Sequence, residues 1–533
     1  MKKSSRLGLT GIILAFVLPF VLRLRYIGVP LERDEGAYAY GAWRMIAGDL
    51  LYRDLVDFTP PGIFYIYAIA RKLFGSTASA IRIGTGFYML AVLACMFFLV
   101  KRITGTRTAW IATAILGVIS ASPTILGFTA NKETFLLLPI IAAWYWYESG
   151  TRENSYYKLF LSGCAAGIGL IIKQVLIFFA VALFVCSLID LWNKNKNRIS
   201  HGLYGSLLFG LGVLVPGILI IGYYAMRGAL SSYIYWVFVY PFEFGSVPIA
   251  ISFGIQRLWD QILAMGKSDL PFWVFGAGGL YIVLKEKSNF RYQLLVLGAS
   301  LCAGVCAGMR FRPHYFIILT PVIALISGIG INAWFEYINT RLSKTLRLII
   351  TLCTVIWLIG QPFYALRGFA SASGNEISRR IYGANPFVES PTIADYIAKT
   401  TPVDETIFVM GSEPQIYFYA KRKNPTRHLF FYPLTAQYGT PRAFQEDVVK
   451  AVQKARPFYI IMINLQTSLY ASEPSTDRYV FDELGRMIEA DYRFNGYVLI
   501  GRTESLYMFD VDQVDPRHAR ERIPITIFKR IAQ

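Results

Sequence analysis

Apolar runs close to a membrane's thickness recur along residues 1–369 and leave one class of fold open. A spanning helix needs about 20 apolar residues, and in lipid each backbone N–H and C=O must be satisfied inside its own helix. Runs of this kind lie at 7–22, 79–100, 108–122, 132–148, 158–172, 175–192, 204–226, 269–284, 292–309, 314–335 and 346–364, about eleven in all. With 55% hydrophobic and 16% charged residues the composition agrees. The chain reads as a polytopic α-helical membrane protein.

A net charge of +19 would point to nucleic acid in a soluble chain. Here much of the basic charge falls in short segments between apolar runs, so membrane lipids, phosphate and topology account for it and no nucleic-acid partner is expected. Lys2, Lys3 and Arg6 precede the first run, which lacks a small-residue cleavage site and is expected to stay as a span. Alternate loops then hold Lys101, Arg102 and Arg107; Arg152 and Lys158; Lys194, Lys196 and Arg198; Lys285, Lys287 and Arg291; and Arg341, Lys344 and Arg347. The positive-inside rule places these loops and the N-terminus in the cytoplasm and the C-terminal part outside. The stretch 158–192 becomes a helical hairpin with Lys173 near its outer tip.

The first outer loop breaks the pattern, carrying Arg23, Arg25, Arg33, Arg44 and Arg53 on the side where positive charge is scarce, which implies an anionic ligand. Within it, apolar residues at helical intervals over 36–47 and 62–74 predict two short interfacial helices, separated by Pro60 and Pro61. The later outer segment 227–267 holds SSYIYWVFVYPFEFG, read as an interfacial aromatic belt broken at Pro241 rather than a lipid-chain groove.

Beyond about residue 370 the chain turns charged and polar. Strand-like runs IFVMG, FYIIMIN, YVLIG and LYMFD alternate with helical stretches such as AFQEDVVKAVQKA. The division is therefore a transmembrane domain over 1–369 and an extracytoplasmic α/β domain over 370–533, without a nucleotide-binding glycine fingerprint or internal repeat. The six cysteines sit in apolar segments as packing residues, and Cys302 and Cys306 lack accompanying metal ligands. No spacing is diagnostic of a metal, and the carboxylates leave a divalent cation as the one cofactor still open.

The topology gathers polar residues on the outer face: Asp34 and Glu35, Asp54 and Asp57, Asn131-Lys132-Glu133, Lys173-Gln174, and Arg310 to Tyr315 with His314 among them. A carboxylate beside a basic cluster suits deprotonation of an acceptor hydroxyl coupled to departure of a lipid-linked phosphate. The plainer reading makes these residues solvated anchors or partners of the loop arginines, and for Asp54 and Asp57 local capping is the simpler account. Trp and Tyr over 38–52 read more simply as interface anchors than as sugar platforms.

The string DEGAYAYGAWRMIAGDLLYRDLVDFTPPGIFYIYAIARKLFG resembles the first outer loop of GT-C-fold membrane glycosyltransferases of the family 39-like group, which includes protein O-mannosyltransferases and aminoarabinose transferases. NKE at 131–133, KQ at 173–174 and FRPHYFIILTP at 311–321 resemble later blocks. The likeness covers residues 1–369 and is most specific over 31–75. It implies inverting transfer of a sugar from a polyprenyl-phosphate donor to a hydroxyl acceptor, whether lipid, glycan or protein, at the outer face of the cytoplasmic membrane. Asp34 matches the position of the general base, with Glu35 as its companion. Relatives often carry a lysine where Thr59 stands before Pro60, so donor-phosphate binding is assigned to Lys132, Lys173, Arg310 and His314. Asp57, Glu133, Gln174 and Tyr315 are the expected substrate contacts. Two rivals share the apolar bulk: a transporter or flippase for lipid-linked saccharides, disfavoured by the absence of an inverted repeat, and a non-catalytic subunit of a glycan-assembly complex.

Overall fold

A computed structural model describes residues 9–194, 199–245, 250–286, 289–435, 441–469, 477–518 and 522–531. Lys2, Lys3, Arg6, Lys196, Arg198 and Lys287, which the topology reading uses, lie outside the described residues. The chain divides into two compact units: Met1–Ile27, Ile81–Tyr223 and Ile249–Ser371 form the first, and Gly28–Ala80, Tyr224–Pro248 and Ala372–Gln533 form the second.

Among the described residues the eleven expected runs lie mostly on helix. Among the described residues, six helices are long and apolar enough to cross a membrane: Ala78–Thr104, Gln174–Lys194, Ser200–Met226, Asn289–Met309, Pro313–Arg341 and Lys344–Ala370. Leu9–Leu24 and Thr106–Ile119 are apolar but shorter. Lys132–Glu153 is long enough but carries charge at both ends. The expected span 269–284 is one arm of a longer helix, Ile251–Lys285, which kinks at Asp269 (φ −122°, ψ 25°), two residues before Pro271. A proline ring clashes with the carbonyl four residues earlier, and the helix bends to relieve it.

The expected hairpin is present in the first unit, with Lys173 extended (φ −155°) between Tyr156–Leu170 and the turn Gln174–Leu176. Ile251–Lys285 packs closely on Thr320–Arg341, and glycines make that approach affordable. A Cβ on Gly279 would lie 1.9 Å from the Ile326 carbonyl oxygen, and one on Gly330 would lie 2.0 Å from that of Phe275. Lipid tails are as apolar as leucine, so helices in a membrane associate through tight contact over small residues of this kind.

In the second unit, the first-loop helices are Arg33–Ile46 and Gly62–Phe74, with Pro60 and Pro61 between them as expected. The aromatic segment does not break at Pro241. Leu230–Ile234 continues through a π turn, Tyr235–Val239, into Tyr240–Gly245, and the wider turn immediately ahead of Pro241 absorbs its missing N–H. Trp236 and Tyr240 are buried on one side of this run, whereas Phe238 and Phe242 are exposed.

The C-terminal sheet has five strands in the order β1-β2-β5-β3-β4, formed by Ile407–Met410 (β1), Tyr459–Ile463 (β2), Tyr492–Leu499 (β3), Leu506–Phe509 (β4) and Ile525–Arg530 (β5). Strands β1 and β2 are parallel and the other pairings antiparallel. Pro441–Ala455 and Tyr479–Asp491 cover one face, burying Val448, Val452, Val480 and Leu484 against Phe408, Met410 and Ile460. Four strands match the expected runs, with β3 starting earlier than read. The central strand β5, ITIFKR, was not expected.

Replacing Gly330 with Val should force the two helices apart and cost about 1–3 kcal/mol, the usual penalty for overpacking. Thermal unfolding in detergent is the check, and an unchanged transition would contradict the close approach.

Candidate active site

The acidic pair lies at the start of Arg33–Ile46, inside a capping box. Glu32 is the N-cap: its Oε2 accepts from the Asp34 N–H at 3.1 Å and its Oε1 from the Glu35 N–H at 3.2 Å. Glu35 Oε2 in return accepts from the Glu32 N–H at 3.3 Å. The cap satisfies backbone donors that a helix start leaves open, and the N-terminal dipole favours the negative charge. Glu35 is fully buried and committed to this box. Asp34 is half-buried, and among the described residues no hydrogen bond engages its carboxylate. Of three carboxylates within four residues, Asp34 is the one left for an external proton.

The sequence reading missed Glu32. It is buried, and burial, reinforced by the Asp34 and Glu35 charges, pushes its carboxyl well above the usual carboxylate range. The available signal was a Glu-x-x-Glu spacing ahead of an apolar run, a capping box with an uncommon first residue.

Downstream, Asp57 is buried and its Oδ1 accepts from the Thr59 N–H at 2.7 Å, while the Tyr52 hydroxyl donates to the Thr59 carbonyl at 2.7 Å. Thr59 thus has a structural place in the turn that leads to Pro60. Asp54 accepts from the Leu50 N–H at 2.9 Å and pairs with Arg53 at 2.8 Å.

The arginines of the first loop are held by partners within the chain. Arg44 pairs with Asp49 at 2.7 Å and Arg33 with Glu413 at 2.5 Å. In the first unit, Arg23 donates to the carbonyls of Gly127 (2.9 Å) and Ser120 (2.5 Å), and Arg25 to those of Phe369 (2.9 Å) and Ala370 (3.0 Å). Each of the five arginines has a partner within the chain, Arg53 through Asp54.

The first unit holds the basic cluster. Lys173 Nζ forms an ion pair with Glu133 and stands 3.9 Å from the centroid of the Tyr315 ring. The His314 and Tyr315 rings meet edge to face at 4.9 Å. Glu133 is 1% exposed, so its pair with Lys173 is a desolvated one, tolerable only because both charges are matched. Lys132 opens the same helix as Glu133, and Gln174 opens the turn after Lys173. Arg310 is half-buried in the segment before His314, where Gly308 (φ 76°), Met309 (φ 50°) and Phe311 (φ 41°) all adopt left-handed backbone. Two non-glycine residues in that region store strain, which the surrounding structure must hold in place. Glu133, Lys173, His314 and Tyr315 therefore come together in one unit, whereas Asp34, Glu35 and Asp57 belong to the other. Among the described residues no group of three His, Cys, Asp or Glu side chains is placed to hold a metal ion.

Comparison with known proteins bears on what these residues can do. The sequence profile of dolichyl-phosphate-mannose-protein mannosyltransferases matches residues 59–220. An undecaprenyl phosphate-α-4-amino-4-deoxy-L-arabinose arabinosyl transferase from Erwinia tasmaniensis is 24% identical over 417 residues, covering 70% of this chain and 68% of that protein. The chain is a glycosyltransferase with a GT-C membrane fold. The fold of this glycosyltransferase is shared with ArnT from Cupriavidus metallidurans, solved with bound undecaprenyl phosphate, at a TM-score of 0.59 and 12% identity, covering 95% of this chain and 98% of that one. It is shared also with the Archaeoglobus fulgidus oligosaccharyltransferase, solved with a tethered acceptor peptide, at a TM-score of 0.53 and 11% identity, covering 94% and 74%.

Two outcomes follow. Lys173→Met should strip the partner from buried Glu133 and cost about 3–5 kcal/mol, and adding Glu133→Gln should recover most of that loss, both read by thermal unfolding in detergent. Glu32 holds its proton above the usual carboxylate range when folded, so its stabilising contribution is present at low pH and is lost as pH rises through the raised value. Glu32→Gln stays neutral throughout. As pH rises above the ordinary carboxylate range, wild-type stability should therefore fall relative to the variant; parallel curves would show that Glu32 does not titrate there.

Proposed function

We propose that this glycosyltransferase moves a sugar from a polyprenyl-phosphate donor to a hydroxyl acceptor at the outer face of the cytoplasmic membrane, with inversion at the anomeric carbon. The reading is carried by Asp34, a half-buried carboxylate on a capped helix start whose two acidic neighbours are held in the cap. The relative from Erwinia tasmaniensis, named for an undecaprenyl-phosphate sugar, and the undecaprenyl phosphate bound to ArnT support a polyprenyl carrier.

In the proposed reaction Asp34 accepts the proton of the acceptor hydroxyl, and the acceptor oxygen forms a bond to the anomeric carbon. The bond from that carbon to the phosphate oxygen breaks on the opposite face, so the configuration inverts. The leaving polyprenyl phosphate gains negative charge, which Lys132, Lys173, Arg310 and His314 are assigned to stabilise. Lys173 would meet the phosphate from an ion pair already formed, so Glu133 serves to hold it oriented. Glu35 supports Asp34 through the cap. Asp57 shapes the turn before Pro60, and Gln174 and Tyr315 flank Lys173 as substrate contacts. With its basic loops inside, the N-terminus is cytoplasmic and the sheet domain extracytoplasmic.

Asp34→Asn, assayed with radiolabelled undecaprenyl-phosphate sugars and a membrane extract as acceptor, should transfer about 10²–10⁴-fold more slowly than wild type. Undiminished transfer would remove Asp34 as base. No transfer by the wild type with any donor would favour a transporter or a non-catalytic subunit.

A further inference from the structure

The second unit wraps the acidic helix in residues from the far end of the chain. Arg33, immediately before Asp34, donates through Nε to the Ser412 carbonyl at 2.6 Å and through Nη2 to Glu413 Oε1 at 2.5 Å. Glu413 is fully buried, and its other oxygen accepts from Gln415 Nε2 at 2.7 Å. Gln415 Nε2 also donates to Ser390 Oγ at 3.1 Å, which ties the pair to the helix Ser390–Thr400.

The backbone of the same segment presses on the helix itself. A Cβ at Gly36 would lie 2.7 Å from Gln415 N and 2.8 Å from its Cα, an approach that only glycine permits. Leu31 N–H donates to the Tyr419 hydroxyl at 2.8 Å, and the Tyr40 hydroxyl accepts from Asn424 N–H at 2.9 Å. Val56 N–H donates to the Arg427 carbonyl at 2.8 Å. Contacts thus fall before the acidic pair, beside it and beyond it. A helix start with this many fixed points has little freedom to tilt or rotate.

We propose that Glu413, buttressed by Gln415, is a positioning residue for Asp34: it clamps Arg33 and so fixes the direction in which the Asp34 carboxylate points. The proposal rests on the reading of Asp34 as general base. A base must reach within hydrogen-bond distance of the proton it takes, and a displacement of about 1 Å can cost on the order of 10²-fold in rate. The clamp acts on the acceptor's proton, so its loss should lower kcat and leave the KM for the lipid donor largely unchanged.

The test uses the full-length protein in detergent. Glu413→Gln, Glu413→Asp, Gly36→Ala and Asp34→Asn are compared with wild type by steady-state transfer from a radiolabelled undecaprenyl-phosphate sugar, and by amide hydrogen exchange of the peptide spanning residues 31–40. Glu413→Gln should lower kcat about 10–100-fold with donor KM within about twofold, and should speed exchange at residues 34 and 35. Glu413→Asp, which keeps the charge, should recover part of kcat. If Glu413→Gln does not yield folded protein, Gly36→Ala moves the helix off Gln415 without touching a charge and should show the same split. Wild-type kcat in the folded variants, with Asp34→Asn inactive, overturns the positioning role alone. An active Asp34→Asn overturns the base assignment and the positioning role with it. A fall confined to donor KM, or slowed transfer with no partial recovery in Glu413→Asp, overturns the clamp as well.

Discussion

A charge taken out of water must find a partner, and that demand decides which groups in this chain remain available for chemistry. Glu133 meets Lys173, Glu413 meets Arg33, and Arg23 spends its donors on the carbonyls of Ser120 and Gly127. Asp190, buried, is met by the Tyr147 hydroxyl and by Gln293 Nε2 at 2.7 Å. Against that background an acidic side chain with no hydrogen bond among the described residues stands out. Asp34 is such a group, and its isolation follows from the work its neighbours do in the cap.

The fold divides the labour between secondary structure and turns. Helices supply rigid starting points: a capped first turn for the acid, and the beginning of Lys132–Glu153 for Glu133. Turns bring the remaining groups to them, as the extended Lys173 between two helices does for Glu133, and as the Pro313–Leu319 turn does for His314 and Tyr315. Helix starts suit this task because their free N–H groups can be satisfied by a side chain that in turn locks the backbone.

The sequence made the membrane helices plain, since long apolar runs admit few alternatives. It also marked Asp34 and Lys173 through residue type and local string. It did not reveal that the acidic pair begins a helix, because Glu32 is not among the residues that commonly cap one. Nor could it pair Arg33 with Glu413, 380 residues away, since nothing local to either residue names the other. Strand β5 escaped notice because ITIFKR is short and ends in basic residues, although two flanking strands pair with it. The partners of the loop arginines escaped the sequence for a related reason: those carbonyls and carboxylates reach them only once the chain is folded.

The place of β5 in its sheet also sets an order of events in folding. Strands β2 and β3 both bond to β5, and neither bonds to the other. The middle of the sheet therefore stays open until residues 525–530 have joined it. The unit that holds Arg33 through Glu413 thus contains a sheet whose two halves are joined only through residues 525–530.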